Sequence, residues 1–100
     1  SGEVHSHAIK TMDDVGIEIR DQFSKSVDAL DRTFLDNLDY VITLCAEEVC
    51  PVLNLNVEKL HWINVDPAIQ HYNSIESHVA FTKTREDLYK LIKKFIIEQV

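Results

Sequence analysis

Residues 40–51 read YVITLCAEEVCP, and this stretch decides the fold. Tyr40–Leu44 is apolar apart from one threonine, rich in β-branched side chains and short for a helix. Such a run is typical of a strand that is buried on both faces of a parallel sheet. Cys45 follows this strand directly, and Cys50 comes five residues later. Because α/β proteins bind their ligands outside the carboxyl ends of parallel strands, the position of Cys45 predicts a functional thiol.

Two helical patterns and one doubtful strand precede this stretch. His7–Val15 predicts an amphipathic helix capped by Ser6, and Gly16 lies where a helix end favours a residue free to adopt a positive φ. Ile17–Arg20 alternates apolar and charged residues, as a short extended segment does. After Ser26, a second helix is predicted by apolar residues that share one face: Val27, Leu30, Phe34, Leu35 and Leu38.

One strand and one long helix follow the cysteines. Leu60–Val65 predicts the second strand, which ends before Asp66 and Pro67 because proline has no amide hydrogen for a ladder. Ser77 is predicted to cap an amphipathic helix with an apolar face and outward lysines: Phe81, Leu88, Leu91, Ile92, Phe95, Ile96, Lys90, Lys93 and Lys94. This order of elements predicts an α/β layered architecture, with residues 1–100 forming a single domain.

Composition limits the classes of function. The 100 residues, 45% hydrophobic and 27% charged, describe one ordinary soluble domain. Lys and Arg number 10 against 17 Asp and Glu, and a net charge of −7 argues against a nucleic-acid partner. The apolar runs are far shorter than the roughly 20 residues that span a bilayer. We therefore expect a cytoplasmic protein with no nucleic-acid or membrane partner.

The two cysteines admit two interpretations. A disulfide requires Cα atoms within about 7 Å, so Cys45 and Cys50 could pair only if the intervening segment changes shape. That behaviour is typical of a redox-active disulfide. Alternatively, both thiols are buried and pack as small hydrophobic groups. The histidines add no ligand set, since no cysteine or carboxylate cluster joins His5 and His7 at ligand spacing, and neither a metal nor another cofactor is predicted.

Several segments, in chain order, carry a family resemblance. They are residues 7–19 (HAIKTMDDVGIEI), 40–45 (YVITLC), 50–53 (CPVL), 59–62 (KLHW), 66–68 (DPA) and 81–87 (FTKTRED). Together they resemble the thioredoxin-coupled arsenate reductases of the low-molecular-weight tyrosine phosphatase-like family. Residues 40–45 are similar to the strand that leads to the family's second catalytic cysteine, and residues 50–53 to the segment of its third. The resemblance covers nearly the whole chain except residues 69–79.

The resemblance implies a fold and a relay of thiols. The fold is a three-layer α/β/α domain with a parallel sheet, whose first strand and nucleophile loop are missing from this chain. In the family, a cysteine of a Cys-x5-Arg loop attacks arsenate. The thiol matching Cys45 then attacks that sulfur and releases arsenite, and the thiol matching Cys50 completes a disulfide that thioredoxin reduces. The residue matching Asp66 protonates the leaving oxygen in phosphatase-like chemistry.

The chain also departs from the family pattern. It contains no Cys-x5-Arg, because Pro51 lies six residues after Cys45 and Asn56 six after Cys50. The interval between the two cysteines is shorter than in the best-known members, and Ile69 stands where a glycine often follows Asp-Pro-Ala. We therefore expect the C-terminal two-thirds of an arsenate reductase-like domain, inactive alone. The alternatives are a non-catalytic thiol-switch or interaction domain, and a relative of the low-molecular-weight tyrosine phosphatases.

Overall fold

A computed structural model describes residues 3–44, 56–68 and 72–99. The elements in chain order are α1 (Ser6–Asp13), a 3₁₀ turn (Val27–Ala29), α2 (Arg32–Asp36), β1 (Tyr40–Thr43), β2 (Glu58–His61) and α3 (Ser74–Gln99). β1 and β2 pair in parallel, which together with the mixed order of helices and strands confirms the α/β class. Within the described ranges, no helix combines the length and apolarity needed to cross a membrane.

The chain divides into two compact units. One contains Glu3–Phe23 and Pro67–Val100, in which α1 packs against α3 around the buried ring of Phe81. The other contains Ser24–Asp66, with α2, both strands and the buried side chain of Leu35. The expectation of a single domain over residues 1–100 stays a prediction.

The start of α1 differs from the prediction by one residue. His5, in extended backbone, is the N-cap, and its Nδ1 accepts a hydrogen bond of 3.1 Å from the backbone N–H of His7. Ser6, the predicted cap, is the first helical residue. The His5 ring also stacks on Phe81, with ring centroids 4.8 Å apart, so packing holds the capping side chain in place. After the helix, Gly16 has a φ of 79°, as the sequence predicts.

Arg85 of α3 caps the other end of α1. Its Nη1 donates a hydrogen bond of 2.8 Å to the carbonyl oxygen of Thr11, one of the last four helical carbonyls that lack a regular intrahelical partner. The N–H of Val15 donates to Met12 at 3.1 Å instead of to Thr11. The Arg85 side chain is only 17% exposed, and its positive charge lies at the negative end of the α1 dipole.

Replacing Arg85 by methionine should therefore loosen the α1–α3 unit. We expect Arg85→Met to lower the free energy of unfolding by about 2 kcal/mol, because a charge-assisted hydrogen bond is lost and a buried carbonyl is left unpaired. The matched control is Arg32→Met in α2, where an ion pair to Asp36 of 3.0 Å joins side chains that are 75% and 57% exposed. That change should cost less than about 0.5 kcal/mol. Urea unfolding of both variants measures the difference, and equal losses would contradict the capping role.

α3 begins earlier than the sequence predicts, because Asn73 caps it and not Ser77. Asn73 Oδ1 accepts from the N–H of Glu76 at 2.8 Å, and Glu76 Oε1 accepts from the N–H of Asn73 at 3.1 Å. This reciprocal pair is a capping box, which satisfies two backbone donors at once. The outward placement of the lysines is confirmed, since Lys90, Lys93 and Lys94 are all exposed.

The strands differ from the prediction in burial and bounds. β1 ends at Thr43, and all four of its residues are half-buried, so the expectation of a strand buried on both faces is wrong. β2 begins at Glu58 and ends at His61, not at the predicted Leu60–Val65. The register pairs Tyr40 with Glu58 and Thr43 with His61. Strand pairing therefore decides the bounds of β2, although its first two residues are charged.

Two further elements correct the sequence-based expectation. Ile17–Arg20 forms no strand; the N–H of Gln22 donates to the carbonyl of Ile19 at 3.0 Å in a turn. The predicted second helix is split into the 3₁₀ turn and α2, because Leu30 adopts extended backbone with a ψ of 145°. Asp31 is also extended and serves as the N-cap residue of α2.

Candidate active site

The carboxyl ends of β1 and β2 lie at one edge of the sheet. The strands are parallel and in register from the Tyr40–Glu58 pair to the Thr43–His61 pair. The ladder continues one step further, because the N–H of Trp62 donates to the carbonyl oxygen of Thr43 at 2.8 Å. Loops that follow the two strands therefore start from the same edge, which is where α/β proteins bind ligands.

Thr43 and His61 form a side-chain pair at this edge. Thr43 Oγ1 and His61 Nδ1 are 2.6 Å apart, and the hydroxyl also lies 3.5 Å from the carbonyl oxygen of Leu60. His61 is exposed, whereas Thr43 is half-buried. His61 lies inside the predicted second strand, and it is the last residue of β2. The sequence does not predict that His61 pairs with Thr43, which lies 18 residues away in the chain.

Asp66 lies in the segment that follows β2. Residues 62–66 have no regular secondary structure, and a turn at Pro67 and Ala68 follows them. Asp66 is exposed and lies five residues after the last residue of β2, in the loop that leaves the carboxyl edge of the sheet. This is the loop in which the sequence places it. Its role as a general acid stays a prediction.

The two predicted redox cysteines lie outside the described residues. Cys45 follows the last residue of β1 by two positions in the sequence, and Cys50 follows by seven. The predicted disulfide and the predicted position of Cys45 are therefore not tested by the structure.

His5 and His7, the closely spaced histidines near the start of the chain, have a packing role. His5 and His7 both stack on Phe81, with ring centroids 4.8 and 5.7 Å away. Among the residues that the structure describes, no group of three or more His, Cys, Asp or Glu side chains could hold a metal ion.

Comparison with known proteins finds arsenate reductases among the relatives of the chain. It is 37% identical over 94 residues to an arsenate reductase of Halalkalibacterium halodurans, a match that covers 92% of this chain and 66% of that protein. It is 39% identical over 94 residues to arsenate reductase 1 of Bacillus cereus, with 92% of this chain and 63% of the relative covered. The chain is a homologue of the arsenate reductases. It spans just under two-thirds of the length of these relatives.

Structural comparison agrees with this assignment. The arsenate reductase homologue superposes on a solved arsenate reductase in the reduced state with a TM-score of 0.59 and 26% identity, covering 93% of this chain and 69% of the other. No family model matches the chain. Since the matches to relatives cover 92% of 100 residues, at most eight residues lie outside them, and Cys45, Cys50 and Asp66 of the homologue fall inside the matched stretch.

Proposed function

We propose that the chain supplies the redox cysteine pair of an arsenate reductase. The observation that carries the proposal is the match to arsenate reductases over 94 residues, which includes both cysteines and Asp66. The parallel β1–β2 pair supports it, because both predicted chemical segments, after Thr43 and after His61, begin at one edge of the sheet. The similar solved structure is an arsenate reductase described in a reduced state, which fits a protein that cycles between thiol and disulfide.

The proposed chemistry moves two electrons from thiols to arsenic. A cysteine outside these 100 residues, in a Cys-x5-Arg loop, first attacks arsenate and forms a sulfur–arsenic bond with loss of water. The Cys45 thiolate attacks that sulfur, the sulfur–arsenic bond breaks, and its electron pair leaves with arsenic as arsenite. The Cys50 thiolate then attacks the Cys45 sulfur and displaces the first cysteine, which leaves a Cys45–Cys50 disulfide. Each step is a thiolate substitution, so access and thiolate fraction set the rate.

The proposed reductant is thioredoxin. A dithiol with a potential of about −270 mV reduces a strained, exchange-active disulfide readily, whereas structural disulfides have potentials below about −300 mV. We also propose a cytoplasmic location, because thiols are kept reduced there and such disulfides are transient. Phosphatase-like hydrolysis, with Asp66 as the general acid, is a proposed side activity of the same fold.

The proposal is tested by assaying the full-length gene product. Arsenate is supplied with thioredoxin, thioredoxin reductase and NADPH, and arsenite is measured together with NADPH oxidation. We expect one arsenite for each NADPH, and much slower turnover when thioredoxin is omitted. Absence of arsenite in the complete system would overturn the proposal. Arsenite formation that is equally fast with glutathione and glutaredoxin would retain the reductase but reject thioredoxin as its partner.

A further inference from the structure

His5 supplies the hydrogen-bond acceptors for the first turn of α1. Its Nδ1 accepts from the backbone N–H of His7 at 3.1 Å, and its carbonyl oxygen accepts from the N–H groups of Ala8 and Ile9 at 3.0 and 3.1 Å. The ring is stacked on Phe81 of α3, with centroids 4.8 Å apart, and this contact fixes its orientation. Three backbone donors of the first turn therefore depend on the position of one residue.

The side-chain hydrogen bond requires a neutral imidazole. A backbone N–H can only donate, so Nδ1 of His5 must offer its lone pair, and the ring hydrogen must be on Nε2. In an imidazolium both ring nitrogens carry hydrogen, and Nδ1–H would then face the N–H of His7. The added positive charge would also lie at the positive end of the α1 dipole. Since imidazole takes up its proton between about pH 5 and pH 8, this cap is sensitive to pH under mild conditions.

Among the described residues that face the His5 ring, the charged and titratable groups give little support to an imidazolium. The nearest is His7, with ring centroids 5.5 Å apart, and its buried Nδ1 has no hydrogen-bond partner in the described part of the chain. On α3, His78 and Arg85 are seven residues apart and so share the face that contacts α1, and Arg85 is already positive. Glu3, two residues before His5, is a carboxylate, but it is exposed and its charge is screened by water and salt.

We infer that His5 is a pH-sensitive cap, and that protonation of its ring loosens the start of α1. His5 is exposed, so a proton from solvent reaches the ring, forms an N–H bond at Nδ1 and breaks the hydrogen bond to His7. The fold uses the neutral imidazole, so the cap contributes its full stability above about pH 7.5 and loses it as the pH falls through the range of imidazole. The cap is independent of the proposed reductase activity, because no cysteine takes part in it.

The test follows backbone amide hydrogen exchange by NMR in the full-length protein. Protection factors, which correct for the effect of pH on the intrinsic exchange rate, report how often each hydrogen bond opens. We expect those of His7, Ala8 and Ile9 to fall about fivefold from about pH 7.5 to about pH 5.5, the scale of losing a helix N-cap. The internal control is the N–H of Glu76, since its acceptor, Asn73 Oδ1, does not titrate. Its protection should change by less than about twofold.

Two variants separate the cap from its neighbours. His5→Asn supplies an amide oxygen that accepts at every pH in this range, so the three amides should keep their protection within about twofold. The matched control, His7→Asn, retains the cap and should show the wild-type fall, even where its protection is lower at both pH values.

Equal falls in wild type and His5→Asn would overturn the inference, because another group would then carry the pH effect. Wild-type amides that keep their protection at the lower pH would also overturn it. The wild-type protein provides a second test without any substitution, from the ¹⁵N signals of the His5 ring. At the higher pH, Nδ1 should give the signal of an unprotonated acceptor nitrogen, and a protonated Nδ1 would contradict the cap.

Discussion

Cys45→Ser is expected to abolish arsenate reduction, whereas Cys50→Ser should permit one turnover and no more. The serine at position 45 cannot attack the sulfur that carries arsenic, so the sulfur–arsenic bond is not broken and arsenite is not released. We expect the rate of arsenite formation to fall by at least about 10³-fold, the scale of losing a covalent nucleophile. Cys50→Ser retains the releasing thiol but leaves the mixed disulfide unresolved.

The two cysteine variants are each other's matched control, because they make the same substitution five residues apart. Rapid-quench assays count arsenite released per protein molecule without and with thioredoxin. We expect close to zero for Cys45→Ser and close to one for Cys50→Ser. Multiple turnovers by Cys50→Ser at the wild-type rate would remove Cys50 from the relay, and a burst of arsenite from Cys45→Ser would remove Cys45.

Asp66→Asn should slow the two proposed activities, phosphate-ester hydrolysis and arsenate reduction, to different extents. An alkoxide or phenoxide with a high pKa leaves only when it is protonated, so a phosphate ester such as phenyl phosphate should be hydrolysed about 10²-fold more slowly, within the usual range for a general acid. Arsenate reduction should fall less, because an alkoxide leaving group needs the proton more than the hydroxyl that arsenate loses as water. Both rates are measured in the full-length protein.

The matched control is Asp39→Asn, since Asp39 directly precedes the amino end of β1, opposite to the edge from which the Asp66 loop leaves. This variant should leave both activities within about twofold of wild type, as surface substitutions away from a site usually do. An equal loss of hydrolysis and reduction in Asp66→Asn would remove its general-acid role and indicate a structural one.

The sequence predicts the elements better than their bounds. The apolar run at Tyr40–Leu44 identifies β1 correctly to within one residue, because β-branched residues favour a pleated surface. The start of β2 is missed because Glu58 and Lys59 are charged, and only pairing with β1 reveals them as strand residues. The sequence does contain a signal for the start of α3, since Asn73 and Glu76 have the spacing of a capping box.

The candidate site is predicted in part. Asp66 and Pro67 mark a loop after β2, and the structure describes Asp66 in that loop. The Thr43–His61 contact depends on strand register, which local patterns do not specify across 18 residues of chain. Arg85 is also missed as a cap for α1, because its contact with Thr11 spans 74 residues. The roles of Cys45 and Cys50 stay predictions of the sequence and of the family.

The central claim is that Cys45 and Cys50 carry the electrons that reduce arsenate. It is tested most directly by one round of reaction without thioredoxin, followed by acid quenching, alkylation of free thiols and peptide mass spectrometry. The account predicts one Cys45–Cys50 disulfide for each arsenite formed, and loss of that disulfide when reduced thioredoxin is added. Arsenite formed in equal amount while both cysteines are recovered as alkylated thiols would contradict it.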